Sequence, residues 1–80
     1  MQTLDLTGLK CPLPALLARR ALRRSEPGTE IEVIADDPMA RIDIPHMCRQ
    51  EGFDCVRIVR EETHDRLLLR RPPDHRPPDQ

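Results

Sequence analysis

Residues Gln2 to Leu6 alternate in polarity, with Leu4 and Leu6 on one side and Thr3 and Asp5 on the other. That is the period-two pattern of a strand buried on one face. Gly8 ends it, and after Cys11-Pro12-Leu13-Pro14 the period changes. At about 100° per residue, Pro14, Leu17, Ala18, Ala21 and Leu22 share one arc of a helix running to about Arg24. Arg19, Arg20, Arg23 and Arg24 fall on the opposite side, together with Leu13 and Leu16. Pro27-Gly28 is a turn. Glu30 to Ala35 alternates again and reads as a second strand, closed by Asp36-Asp37-Pro38.

Pro45 is the difficulty in the next segment, because proline inside a helix deletes a hydrogen bond. The pattern therefore predicts a single turn over Pro38 to Arg41 and then a new helix capped by Asp43. Pro45 falls in its first turn, and Ile42 and Met47 form a hydrophobic staple. Ile44, Met47 and Cys48 share the buried face, and Gly52 stops the helix. Cys55 to Arg60 reads as a third strand with Val56 and Ile58 inward, Glu61 to Asp65 as a polar turn, and Arg66 to Arg70 as a fourth strand. The order βαβαββ predicts an α/β two-layer sandwich, a mixed four-stranded sheet with two helices on one face. The domain spans residues 1–71. Residues 72–80 are rich in proline and have no apolar side chain to bury, so they read as a disordered tail.

Composition narrows the picture. A chain of 80 residues holds one domain with a thin core and no deep enclosed active site. Phe53 is its only aromatic residue, so the core must be built from Leu, Ile, Val, Ala and Met. The net charge of -1 gives no general attraction to membranes or nucleic acid. With no stacking aromatics, direct nucleic-acid binding is not expected. No run approaches the roughly 18–20 apolar residues that crossing a bilayer requires, and no basic-then-apolar leader opens the chain. A cytoplasmic monomer is expected. Three cysteines make an odd count for a disulfide framework, and all three are expected to be reduced. His46, His64 and His75 have no i, i+4 partner and no Cys-x-x-Cys occurs, so no metal site is expected.

The candidate chemistry is at Cys11. Placed at the N-cap of the first helix, it has Pro12 as the first helical residue and Pro14 as the third, which stiffens the backbone that presents it. The helix dipole then favours thiolate, the species that attacks a sulfur donor, with Lys10 the only adjacent cation. A modest lowering of the thiol pKa follows. Leu13 and Leu16 beside the sulfur, with Lys10, Arg19 and Arg20, form a candidate docking patch for a partner. The arginine cluster reads first as a solvated face and second as a surface for an acidic protein or tRNA. Asp37 and Asp43 read as turn and cap residues, and Cys48 as a small core residue. Cys55 points opposite to Val56.

Asp5-x-x-Gly8-x-x-Cys11-Pro12-x-Pro14, Pro27-Gly28, Asp36-Asp37-Pro38, Asp43-Ile44-Pro45 and Cys48 together resemble the TusA (SirA-like) sulfur-carrier family. The resemblance covers about residues 3–70 and independently implies a βαβαββ two-layer fold. It also implies that Cys11 carries sulfur as a persulfide, relayed from a donor such as a cysteine desulfurase or rhodanese to an acceptor protein. Gly8, Pro12, Pro14, Asp37, Asp43 and Pro45 are the supporting motif positions. On this reading the protein is a sulfurtransferase-type carrier rather than a stand-alone turnover enzyme, with no cofactor beyond the covalent sulfur. The destination is tRNA thiolation, cofactor synthesis or oxidative sulfur metabolism. The chain departs from the family at Met39-Ala40-Arg41, and Cys55 and the tail lie outside the pattern. The alternative is a non-catalytic regulatory or interaction module that uses the same surface.

Overall fold

Leu4, Ile31, Val33, Leu67 and Leu69 alternate with residues of the opposite face and form one sheet with one buried face. A computed structural model describes residues 2–74. It contains β1 (Gln2–Asp5), α1 (Leu13–Arg24), β2 (Glu30–Ala35), α2 (Ala40–Glu51), β3 (Asp54–Arg60) and β4 (Asp65–Arg70). The strands lie in the order β1-β2-β4-β3. β1 runs parallel to β2, a pairing that needs a crossover, which α1 supplies. β4 is antiparallel to both of its neighbours. The expected two-layer α/β sandwich is what forms.

Ile31 pairs with Leu69 and Val33 with Leu67 on the helix-facing side. All four are at most 1% exposed, and Leu22 of α1 and Ile44 of α2 close over them at 0%. Phe53 also belongs to this core, so the core is not purely aliphatic. The opposite face carries ion pairs, including Arg66 with Glu32 at 3.1 Å and Arg70 with Asp54 at 3.7 Å. Such exposed pairs contribute little stability, but they keep this face wet. Arg23 of α1 reaches Glu51 of α2 at 2.6 Å and ties the two helices together. After β4, Arg71 donates its backbone N–H to the Thr29 carbonyl (2.9 Å), and its carbonyl accepts from Gly28 N–H (2.7 Å). Its guanidinium donates to the carbonyls of Arg23 and Ser25 at the end of α1.

Two elements differ from the sequence expectation. α2 does not start at Asp43: it begins at Ala40 and runs through both Asp43 and Pro45. The Asp37 carbonyl accepts Ala40 N–H at 2.9 Å, and the Met39 carbonyl accepts Ile42 and Asp43 N–H, so the first turn is already closed before Asp43. Starting early buries Ala40 one turn before Ile44 on the same face. The cost is the bond that Pro45 cannot donate to the carbonyl four residues back. The staple does not form, since Ile42 is 62% exposed while Met47 is buried. Gly52 does end the helix, at φ +79° in the left-handed region.

The second difference is in β3. Its pairing with β4 jumps from Cys55↔Leu69 to Arg57↔Leu68, so Val56 is the extra residue of a bulge and is 52% exposed instead of inward. Ile58 pairs with the buried Leu67 yet is 39% exposed, because β3 is the sheet edge. Cys55 turns toward the core and packs against it, half-buried. Residues 75–80, with His75 and most of the expected tail, lie outside the described residues.

Candidate functional site

Because β1 and β2 are parallel, the loops that follow them emerge at the same end of the sheet. The first loop carries Gly8, Lys10 and Cys11, and the second carries Asp36 and Asp37. Gly8 sits at φ +84°, a region that favours glycine, and its N–H donates to Asp36 Oδ1 at 2.9 Å. Asp37 grips both sides of the site. Its Oδ2 accepts Cys11 N–H at 2.5 Å, and its Oδ1 accepts Met39 N–H at 3.3 Å. These two backbone donors, Cys11 first, hold the Asp37 carboxyl below the usual carboxylate range despite some desolvation.

Cys11 is not the N-cap of α1. The Cys11–Pro12 peptide bond is cis, Leu13 N–H donates back to the Lys10 carbonyl at 2.8 Å, and the helix begins at Leu13 with Pro12 as its cap. Pro14 is then in the second helical position and is buried. The backbone donors of Cys11 and Leu13 are thus spent on Asp37 and Lys10, and neither is left to stabilise a thiolate. The sulfur instead donates its S–H to Asp43 Oδ2 at 2.8 Å. That bond, then desolvation, then the charges of Asp43 and Asp37 raise the Cys11 thiol above its ordinary value. The expectation of a lowered pKa is overturned: two carboxylates at close range outweigh a partial dipole whose donors are already occupied.

Asp43 is therefore a site residue, placed by α2 against the sulfur rather than at a helix cap. The groove between α1 and α2 in front of Cys11 has a volume of about 260 Å³. Its lining includes Pro12, Leu16, Arg19, Asp43, His46 and Met47. Leu13 (45% exposed) and Leu16 (41%) stand open. Lys10 is exposed in the loop before the sulfur.

The arginines do not act as one cluster. Arg19 lines the Cys11 groove, Arg23 binds Glu51, and Arg20 and Arg24 flank a separate groove against β1. Sequence reasoning missed His46 as a groove residue. Its place one turn after Asp43 would have indicated it had the helix been read through.

The other cysteines differ sharply from Cys11. Cys48 is buried, and desolvation pushes its thiol up to about 12. Burial also raises Cys55. Among the described residues, no three His, Cys, Asp or Glu side chains gather to hold a metal ion.

Comparisons with known proteins agree with this architecture. The family model described as "Sulfurtransferase TusA" matches residues 2–71. A protein of Archaeoglobus fulgidus named "Putative sulfur carrier protein" is 42% identical over 62 residues, 78% of this chain and 80% of that one. The crystal structure of a SirA-like protein from Desulfitobacterium hafniense superposes with a TM-score of 0.74 at 24% identity, covering 86% of this chain and 95% of that one. At that identity the superposition speaks to the fold, whereas the family match runs from the start of β1 to the residue after β4. The chain belongs to the sulfurtransferase TusA family.

Proposed function

We propose that this protein is a sulfur carrier that holds sulfur as a persulfide on Cys11. The observation that carries the reading is the presentation of Cys11: an exposed thiol where two sheet-end loops meet, facing a groove with an apolar rim. Family membership and the carrier name of the Archaeoglobus relative support it. In the loading step, the Cys11 sulfur attacks the outer sulfur of a donor persulfide. The donor's S–S bond breaks, the departing donor thiolate takes the proton Cys11 gave up, and Cys11 gains an S–S bond. Unloading is the same exchange run toward an acceptor thiol. No external oxidant is consumed, and no cofactor beyond the covalent sulfur is required.

The partners are two proteins, a donor such as a cysteine desulfurase or rhodanese and an acceptor with its own thiol. Leu13, Leu16, Arg19 and Lys10 form the docking face. The sulfur is destined for tRNA thiolation, cofactor synthesis or oxidative sulfur metabolism, in the cytoplasm. Among the described residues, no helix is long and apolar enough to cross a membrane.

Intact mass after loading tests the proposal. Reduced protein is incubated with a cysteine desulfurase and cysteine, and separately with a rhodanese and thiosulfate. The expected result is a gain of one sulfur atom that reductant removes and that Cys11→Ser abolishes. A sulfur that still loads on the Cys11→Ser protein would assign the chemistry elsewhere. No gain from either donor would favour the interaction module.

A further inference from the structure

The contact between the thiol of Cys11 and Oδ2 of Asp43, 2.8 Å long, joins residues 32 apart in sequence. A cap or a turn does not need it, since the first turn of α2 is already closed on Asp37 and Met39. We propose that Asp43 is a positioning residue that latches Cys11: it holds the empty carrier in the protonated thiol form and destabilises the loaded carrier, so that sulfur is passed on rather than kept. The proposal deepens the persulfide reading and, for its second half, rests on it.

The geometry gives both halves. In the empty carrier the only hydrogen on sulfur is donated to a carboxylate. Losing that proton would leave two anions in contact, a costly arrangement. The raised thiol pKa agrees with this. In the loaded carrier Sγ no longer bears a hydrogen, so the bond to Asp43 is gone. The outer sulfur lies about 2.05 Å beyond Sγ. A sulfur attached to sulfur is a stronger acid than one attached to carbon, so the outer atom is the more readily anionic, next to the same carboxylate. Transfer to an acceptor removes that repulsion.

The other charged and titratable groups around the sulfur are Asp37 of the loop before α2, His46 on α2, Arg19 on α1 and Lys10 on the cysteine's own loop. Asp37 spends its carboxylate on two backbone N–H groups. Asp43 alone among these is hydrogen-bonded to the sulfur.

The test needs no donor protein for its first arm. Alkylation of Cys11 by iodoacetamide is followed at peptide level from pH 6.5 to 10 in the native protein, Asp43→Asn and Asp43→Glu. The latch predicts that Asp43→Asn moves the rate profile to lower pH by about one unit, about tenfold more thiolate at neutral pH. Asp43→Glu, which keeps the charge, should stay near native. Coincident profiles for native and Asp43→Asn would overturn the proposal.

Should Asp43→Asn not fold, which alkylation of Cys48 would reveal, the native protein answers with charged reagents. A cationic methanethiosulfonate should modify Cys11 several-fold faster than an anionic one at low salt, and added salt should narrow the gap. Equal or reversed rates would overturn the latch. A second arm loads both proteins and times sulfur release to a small acceptor thiol, with slower release expected from Asp43→Asn. Failure to load sinks the carrier reading, while the alkylation profiles still decide whether Asp43 latches the thiol. Equal release times from loaded proteins overturn the second half alone.

Discussion

At the scale of the residue, the site is organised by carboxylates rather than by cations. Asp37 is the clearest case, because one side chain binds the backbone of two segments, at Cys11 and at Met39. Its carboxyl is held below the ordinary range in the folded protein. Such a group contributes stability that is fully present above its unfolded pKa of about 4 and is lost as pH falls through the folded value. Asp37→Asn should therefore lower the urea midpoint at pH 7, and the gap to the native protein should begin to narrow as pH falls below about 5 and close only as pH passes below the lowered folded value. Urea titrations of both proteins at several pH values measure this directly. A gap that stays the same from pH 7 down to the lowest pH at which both proteins still fold would mean the carboxylate charge is not what Asp37 supplies.

At the scale of the element, legibility followed the range of the interactions involved. β2 appears at its expected bounds, Glu30–Ala35, because alternation is a local property and both faces of that strand are occupied as the pattern requires. The buried arc of α1 was legible for the same reason: Pro14, Ala18 and Leu22 are its buried residues. The start of α2 was not. Asp43 beside Pro45 looks like a cap when only neighbouring backbone groups are considered, and its true partner, a sulfur on another loop, has no signature in local sequence. The bulge at Val56 was equally invisible, since one extra residue reverses the facing of everything before it while the composition stays strand-like. Cys11 itself was legible from its motif, whereas its electrostatics depended on which carboxylate the fold would bring to it.

Pro45 offers a test at this scale. Pro45→Ala would restore an N–H to the carbonyl of Arg41 and remove the ring from the helix interior. The unfolded chain gains freedom in exchange. The expected net effect is a stabilisation of about 1–2 kcal/mol by chemical denaturation. A less stable variant would show instead that the packing of the ring beside Cys48 and Phe53 in the α2–β3 groove outweighs the lost bond.

At the scale of the whole molecule, stability and docking occupy different surfaces. The core lies between the sheet and the inner faces of both helices, while Leu13 and Leu16 point away from it. Leu16→Gln, which adds no charge beside the sulfur, should therefore leave stability within about 0.5 kcal/mol of native. Loading from a protein donor should slow by about tenfold, and reaction of Cys11 with iodoacetamide should change little. Comparing the two rates on one preparation separates a docking role from a chemical one. Equal slowing of both would place Leu16 in the chemistry rather than in recognition.

The anchoring of Arg71 has a practical corollary. Its bonds to Gly28 and Thr29 fix the point where the chain leaves the domain, at the end of the sheet where β2 begins. Cys11 is tied to Asp37, just past the end where β2 finishes. The 6 residues of β2 separate the two, a length of roughly 20 Å at about 3.3 Å per residue. Cargo and tether therefore occupy opposite poles. An affinity handle, a bead or a fused enzyme attached through the carboxyl-terminal segment would leave the sulfur facing outward, toward whatever arrives from solution.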